Sequence, residues 1–300
     1  MSKKTNKVYG LIGVKALKSN WNADFTGSPK TTGDGRIYGS DKALKYAIRN
    51  FWAINGHSIL MRTKYNKEDM TPKTLQMVYE DMFGPLGKKE KTEVLKNLLT
   101  VIDVETFGAA FAVPGVTLSL AGPVQIGQGY NLYEDAAVNT QTILSPFKNS
   151  KKEADQTTLG SMTFVDEAHY LYPFSVNPYN IEQEAIIAGV DGYTEESYQL
   201  FKEAARLGAT ALNTCTKNGC SNELAFFVEF KDGAKPFLPN LDQFVTFEKG
   251  EKDTYDFSKV MTLLEQFKDQ IESIELYVDP FNVEVILGET SLSIQTLSIF

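Results

Sequence analysis

With its insertions set aside, the chain orders its regular elements as strand, helix, strand, strand, helix, strand. Lys7–Leu17 carries the run VYGLIGVKAL, apolar enough for a buried strand. A helix follows at about 40–54, where Ser40 or Asp41 can accept the first free backbone N–H groups. Ala43, Leu44, Ala47, Ile48 and Phe51 then recur at the helical period as one apolar stripe. Ala109–Val113 and Val116–Leu120 are short β-prone runs around a Pro114-Gly115 turn, and Ala168–Val176 reads as a further strand. Thr194–Leu207 reads as a helix stopped by Gly208, and Leu224–Phe230 as a strand. The tail holds a helix near 257–271 and alternating strands at Ile274–Val278 and Val283–Leu287. This β-α-β-β-α-β order is that of a ferredoxin-like, RRM-type sheet, an α+β fold.

Two insertions and one long loop interrupt the order. Residues 58–105 read as a separate, mostly helical unit: Thr71-Pro72 is a helix start, and Leu75, Val78, Tyr79 and Met82 follow at helical spacing. After the charged break FGPLGKKEK, Val94, Leu95, Leu98, Leu99 and Ile102 suggest another helix. Ala137–Leu144 and Thr157–Phe164 flank the polar tip SPFKNSKKEADQ and predict a long β-hairpin. Ser19–Gly39 is a polar, glycine-rich loop of about twenty residues, a length that is usually functional or disordered.

Charge narrows the function. A net charge of −8 over 300 residues argues against a generic nucleic-acid binder. Residues 1–52, however, hold ten Lys/Arg and three Asp, a balance of +7. The remainder holds 20 basic and 35 acidic residues, a balance of −15. Such asymmetry points to an anionic partner for one face. On the first helix Lys42, Lys45 and Arg49 fall at i, i+3 and i+7 without an interleaved Glu. Like charges at this spacing repel by about 0.2–0.5 kcal/mol per pair. The row is either presented to an anion or a solvated helix face. The basic start MSKKTNKVYGLIGV lacks a leader-type apolar run, and no stretch approaches the ~20 apolar residues of a membrane span. The expectation is a cytoplasmic chain with no membrane partner. Cys215 and Cys220 lack the two further ligands a zinc site needs, with no histidine near them in sequence, and a reducing cytoplasm disfavours a disulfide, so neither is expected.

Three segments could carry chemistry. In AGPVQIGQG, Gly122, Gly127 and Gly129 either let a phosphate or base approach the backbone or shape a tight turn between strands. The run is neither a P-loop nor a dinucleotide fingerprint. Near the hairpin turn, Ile143, Leu144 and Phe147 stand beside Lys148, Lys151 and Lys152. Apolar residues there fold back on the body, cover a partner, or wedge between bases. Asp24 and Asp34 are the acids of the long loop; each could position a metal or a 2′-hydroxyl, or simply be solvated. The two histidines, His57 and His169, read as structural or ligand-contacting, and no catalytic motif is present. No cofactor or metal is expected.

Taken in order, several segments resemble one family. These are Arg36 with SDKALKYAIR (40–49), VTLSLAGPVQIGQG (116–129), DAAVNTQTI (135–143), LGSMTFVDEAHYLYPFSVN (159–177), and TEESYQLFKEAARLG with KNGCSNELAFF (194–227). From about residue 7 to about 235 the chain resembles the CRISPR RAMP-superfamily subunit that forms the backbone of type I Cascade complexes, most closely the type I-B form. The resemblance implies an RRM-like palm (1–57, 109–133 and 164–300, the last with a C-terminal extension), a helical finger insert (58–108) and a hairpin thumb (134–163). It also implies a non-catalytic protein whose copies stack head to tail along one CRISPR RNA, beside other Cascade subunits, and present the guide to target DNA. RNA contacts would fall on Arg36, Ser40, Lys42, Lys45, Arg49, Gln125, Gly127, Gln128 and Gly129. Ile143, Leu144, Phe147, Leu159 and Met162 would form the wedge that flips a base. Related type III subunits cleave target RNA with a loop aspartate, and Asp24 falls in the corresponding loop. A metabolic enzyme with a small-molecule pocket is the third class. The resemblance carries nothing over to the residues beyond 235.

Overall fold

A computed structural model describes residues 2–87, 89–148 and 157–300, and their side chains except at 145–148 and 157–159. In chain order, β1 (Val8–Ser19), β2 (Tyr38–Gly39) and α1 (Asp41–Ile54) lead to α2 (Leu75–Phe83), α3 (Lys91–Leu99) and α4 (Ile102–Phe107). The strands β3 (Gly108–Val113), β4 (Val116–Ala121), β5 (Val124–Ile126), β6 (Gly129–Asn131), β7 (Val138–Lys148) and β8 (Thr157–Val176) follow. Next come α5 (Glu182–Ala188), α6 (Glu195–Leu207) and β9 (Cys220–Phe230). The last part holds β10 (Thr246–Glu248), β11 (Asp253–Asp256), α7 (Ser258–Glu265), β12 (Ile271–Val278), β13 (Val283–Ile286) and β14 (Gln295–Ser298).

The main sheet runs β14-β12-β9-β1-β8, and β7, β6 and β5 take successive stretches along the far edge of β8. Every pair from β12 to that edge is antiparallel. Both faces of the sheet are covered. On one, Val8, Ile12 and Val14 of β1 join Leu44, Ala47 and Ile48 of α1 and Phe201, Ala204 and Ala205 of α6 in a single core that also takes in the helices of the 75–107 region. On the other, Leu11 joins Leu171, Leu224, Phe226 and Val228 against α7 and Tyr255. A strand buried on two faces reads as a continuous apolar run, which is why β1 and β9 show no alternation.

The sheet is closed on one edge by unexpected residues. Among the described residues Val116–Ala121 pairs only with β3, in a two-stranded hairpin turned by Gly115 at φ +84°. That hairpin sends Phe111 against Tyr79 of α2, at 5.4 Å between ring centroids. The neighbours of β8 are instead β5 and β6, built from the glycine-rich run itself. Pro123 marks the redirection: it has no N–H to donate, and its carbonyl accepts from Asn177 N at 2.9 Å.

The second face carries a buried ionic network. Lys15 of β1 and Lys249 each lie 2.7 Å from an Asp253 oxygen, and both reach Glu167 Oε1, at 3.0 and 2.7 Å. His169 is fully buried between Glu167 (3.2 Å) and Glu223 (3.0 Å). Burial alone would raise the Glu167 pKa, but the bonds from Lys249 and Lys15 outweigh it and hold the carboxyl down from 4.5 to about 2. A depressed carboxylate stabilises the fold above its unfolded pKa and loses that contribution as the pH falls through its folded value. Thermal stability should therefore decline from about pH 4.5 toward about pH 2, and Glu167→Gln should make that decline shallower. Equal slopes for the two proteins would remove Glu167 from the account.

Candidate functional site

The start of α1 is fixed by short-range bonds. Ser40 Oγ accepts from Ala43 N, and Ser40 N donates to Asn22 Oδ1 at 2.7 Å. Ser40 is thus a buried cap. In the first turn Asp41 accepts from Lys42 and Lys45 Nζ, each at 3.4 Å, and from Gln128 Nε2 at 3.5 Å. Burial pushes the Asp41 carboxyl up, but Lys45 and Lys42 outweigh it and leave its pKa below the usual carboxylate value.

The three cations of α1 do not share one environment. The Lys42 side chain is 85% exposed, whereas Lys45 is 14% and Arg49 15% exposed. Burial lowers the Lys45 pKa, and its ammonium sits 5.4 Å from the Phe107 ring centroid. Arg49 Nε donates to Asp103 Oδ2 at 3.0 Å, and its guanidinium lies 5.2 Å from the same ring. Asp103 is fully buried and also accepts from Leu60 N and Met61 N. The reason lies in the helix: positions 45 and 49 flank the core stripe of Leu44, Ile48 and Trp52, and α4 covers that flank. The row reaches solvent chiefly at Lys42.

The glycines answer to the sheet beneath them. β2 pairs with β6 as Tyr38↔Tyr130 and Gly39↔Gly129. A Cβ on Gly129 would fall 2.5 Å from the Tyr172 ring, and one on Gly127 would fall 2.8 Å from Pro173 Cγ. A Cβ on Gly39 would meet Tyr172 Oη at 1.9 Å and Trp21 at 2.7 Å, where Trp21 Nε1 donates to Tyr172 Oη at 2.6 Å. Gly39→Ala should accordingly lower stability by about 1–3 kcal/mol in urea denaturation, as overpacking does. An unchanged midpoint would show that Tyr172 and Trp21 can yield.

The β2–β6 pairing gathers an exposed polar edge. Arg36 Nε donates to Asn131 O at 3.1 Å, and its guanidinium lies 5.1 Å from the Tyr130 ring centroid. Gln128 links this point to Asp41 and so to Lys42. Gln125 is exposed and donates to Gly122 O. Two cavities of about 530 and 510 Å³ flank Arg36 and share Leu132 as a wall. The first also takes Asp34, Asn131 and Tyr133; the second takes Gln128, Tyr130, Asn240, Asp242, Gln243 and Val245.

On the hairpin, Ile143 is 47% and Leu144 69% exposed, and half-buried Met162 pairs across from Gln141. The side chains of Phe147 and Leu159 lie outside the described residues, as do Lys151 and Lys152. Asp24 shapes a turn: its Oδ1 accepts from Thr26 N (2.7 Å), Thr26 Oγ1 (2.6 Å) and Ser28 N (3.1 Å). The Thr26 hydroxyl and the backbone N–H groups hold its pKa below the ordinary value. Asp34 is held down in the same way, first by Thr32. Sequence reasoning missed Asn22, Tyr130 and the 240–245 segment; only Tyr130, next to the glycine run, carried a local signal. No helix among the described residues is long and apolar enough to cross a membrane.

A family model described as "CRISPR-associated protein Cas7" matches residues 6–269. No curated protein matches. A chain of a solved "CRISPR RNA-guided surveillance complex, pre-nicking" is similar over 95% of this chain and 96% of its own, with a TM-score of 0.51 at 14% identity. A chain of a second "CRISPR RNA-guided surveillance complex" is similar over 89% and 88%, with a TM-score of 0.43 at 16% identity. The first likeness is one of fold.

Proposed function

The chain belongs to the CRISPR-associated Cas7 family, and on that premise we propose that it is a CRISPR RNA-binding backbone subunit of a surveillance complex. The observation that carries this reading is the family match across residues 6–269, nearly the whole chain. In the finer reading the complex is a type I Cascade, nearest the I-B form, in the cytoplasm. Copies stack head to tail along the RNA, next to other subunits, and present the guide to target DNA. The protein itself cuts nothing. The antiparallel order β9-β1-β8-β5/β6, with α1 and α6 on one face, supports an RRM-like palm made of 1–57, 109–133 and 164–300. Residues 58–108 would be the fingers and 134–163 the thumb, whose exposed Ile143 and Leu144 suit a base wedge.

Exposure and bonding favour a division of labour among the site residues. Arg36, Lys42, Gln125 and Gln128 are available to RNA. Ser40, Lys45, Arg49, Gly127 and Gly129 hold the surface in shape. Phosphate contacts give affinity without sequence preference, which a protein carrying arbitrary guides requires. Sequence is then read by base pairing with the guide. Purified protein expressed with a CRISPR array should carry RNA, seen as a high 260/280 nm ratio that nuclease and high salt remove. Nucleic-acid-free protein that also fails to bind added RNA would refute the proposal.

A further inference from the structure

A cavity of about 340 Å³ lies where α4 and the turn after α5 meet the start of α6. Its size falls at the low end of the ~300–1,000 Å³ of small-molecule sites. Leu99, Ile102, Val190 and Leu200 give it apolar walls, and Glu105, Asp191 and Glu196 give it three carboxyls. It stands away from the β2–β6 edge. Lys42 opens α1, whereas His57, on the cavity wall, follows the end of that helix. The 14 residues of α1, rising about 1.5 Å each, put the two roughly 20 Å apart.

Glu105 is only 9% exposed. Its carboxyl accepts from Thr194 N (3.0 Å), Thr194 Oγ1 (3.3 Å) and Ser197 Oγ (2.7 Å), all neutral groups. Among the described residues it has no cationic partner, although buried carboxylates are normally paired with one. Burial raises its pKa, and the Glu196 charge adds to the rise against the bonds from Ser197 and Thr194. Asp191 and Glu196 are exposed on the same cavity and also meet no cation among the described residues. Three carboxyls repel phosphate and every other anion. The apolar walls leave little for a hydrated metal ion to bond to. A positive head on an aliphatic stem satisfies both kinds of wall at once.

We propose that this cavity binds an ammonium or guanidinium group carried on an aliphatic stem, with the four apolar side chains around the stem and Glu105, Asp191 and Glu196 around the cation. Two sources carry that chemistry: a free diamine or polyamine, and a lysine or arginine side chain of a protein. The site goes beyond the RNA-binding reading and does not depend on it. Asp191 and Glu196 are exposed, and their carboxyls take no hydrogen bond among the described residues, so Asp191→Asn/Glu196→Gln should leave the fold intact.

The test is a methyl-NMR titration of the full, nuclease-treated chain, read at Leu99, Ile102, Val190 and Leu200. The probes are putrescine, Nα-acetyl-lysine methylamide, which has the same four-carbon stem, and the uncharged norleucine counterpart of the second. Both cationic probes should shift these methyls saturably at concentrations where the norleucine compound does not. The double variant should weaken both about fivefold while its other methyl resonances stay in place. Tighter binding of putrescine would assign the site to a free amine. Blocked lysine binding as tightly or more so would assign it to a protein side chain. No saturable shift at these methyls, equal binding of the norleucine compound, or undiminished binding by the variant would overturn the site.

Discussion

Arg49→Ala should lower the stability of the protein on the order of 3 kcal/mol, and Arg49→Glu by more. Arg49 Nε is the side-chain donor to Asp103, which is fully buried. Among the described residues, removing the arginine leaves a carboxylate compensated only by the Leu60 and Met61 N–H groups. Breaking one side of a buried pair exceeds the worth of a surface pair because the remaining charge stays desolvated. Asp103→Asn in the Arg49→Ala background should restore part of the loss. Lys42→Ala, on the same helix but exposed, should change stability by no more than about 0.5 kcal/mol. Urea denaturation of the four proteins checks the set; Arg49→Ala with a wild-type midpoint would show that the pair is dispensable. A charge reversal at Arg49 that abolished RNA binding would thus say nothing about phosphate contact.

The double reversal Arg36→Glu/Lys42→Glu should weaken RNA binding at least about tenfold while leaving the urea midpoint near that of wild type. Both side chains are exposed, and neither supports the core. For single-stranded RNA the slope of log affinity against log salt should become shallower by about 0.7 for each phosphate the protein no longer neutralises. Fluorescence anisotropy at several salt concentrations reads both quantities. An unchanged slope would move the phosphate contacts away from the β2–β6 edge.

Most helices were legible because their stripes and caps are local, but α2 starts at Leu75 under a Thr74 cap instead of at Thr71-Pro72, where Pro72 bridges to Tyr65, and the short α5 went unread. Ser40 and Thr194 both cap as their positions suggest. The fate of Lys45 and Arg49 was not, because the covering residues Asp103 and Phe107 arrive from an insertion more than fifty positions away. The glycine run showed that backbone approaches something closely. It could not show that Tyr172 and Pro173 of β8 lie against Gly129 and Gly127. Val116–Leu120 alternates as a sheet strand should, yet among the described residues it pairs only with β3, since the chain is redirected at Gly122-Pro123 before it reaches β8. His169 looked structural or ligand-contacting from sequence. Its buried position beside Glu223 depends on β8 and β9 flanking β1.

The most direct test of the central claim is the mass of assemblies formed on guide RNAs of increasing length, measured by mass photometry. A backbone subunit predicts masses that rise in single-protomer steps as the RNA lengthens, and collapse to the free protein after nuclease treatment. One fixed mass, indifferent to RNA length and to nuclease, would contradict it.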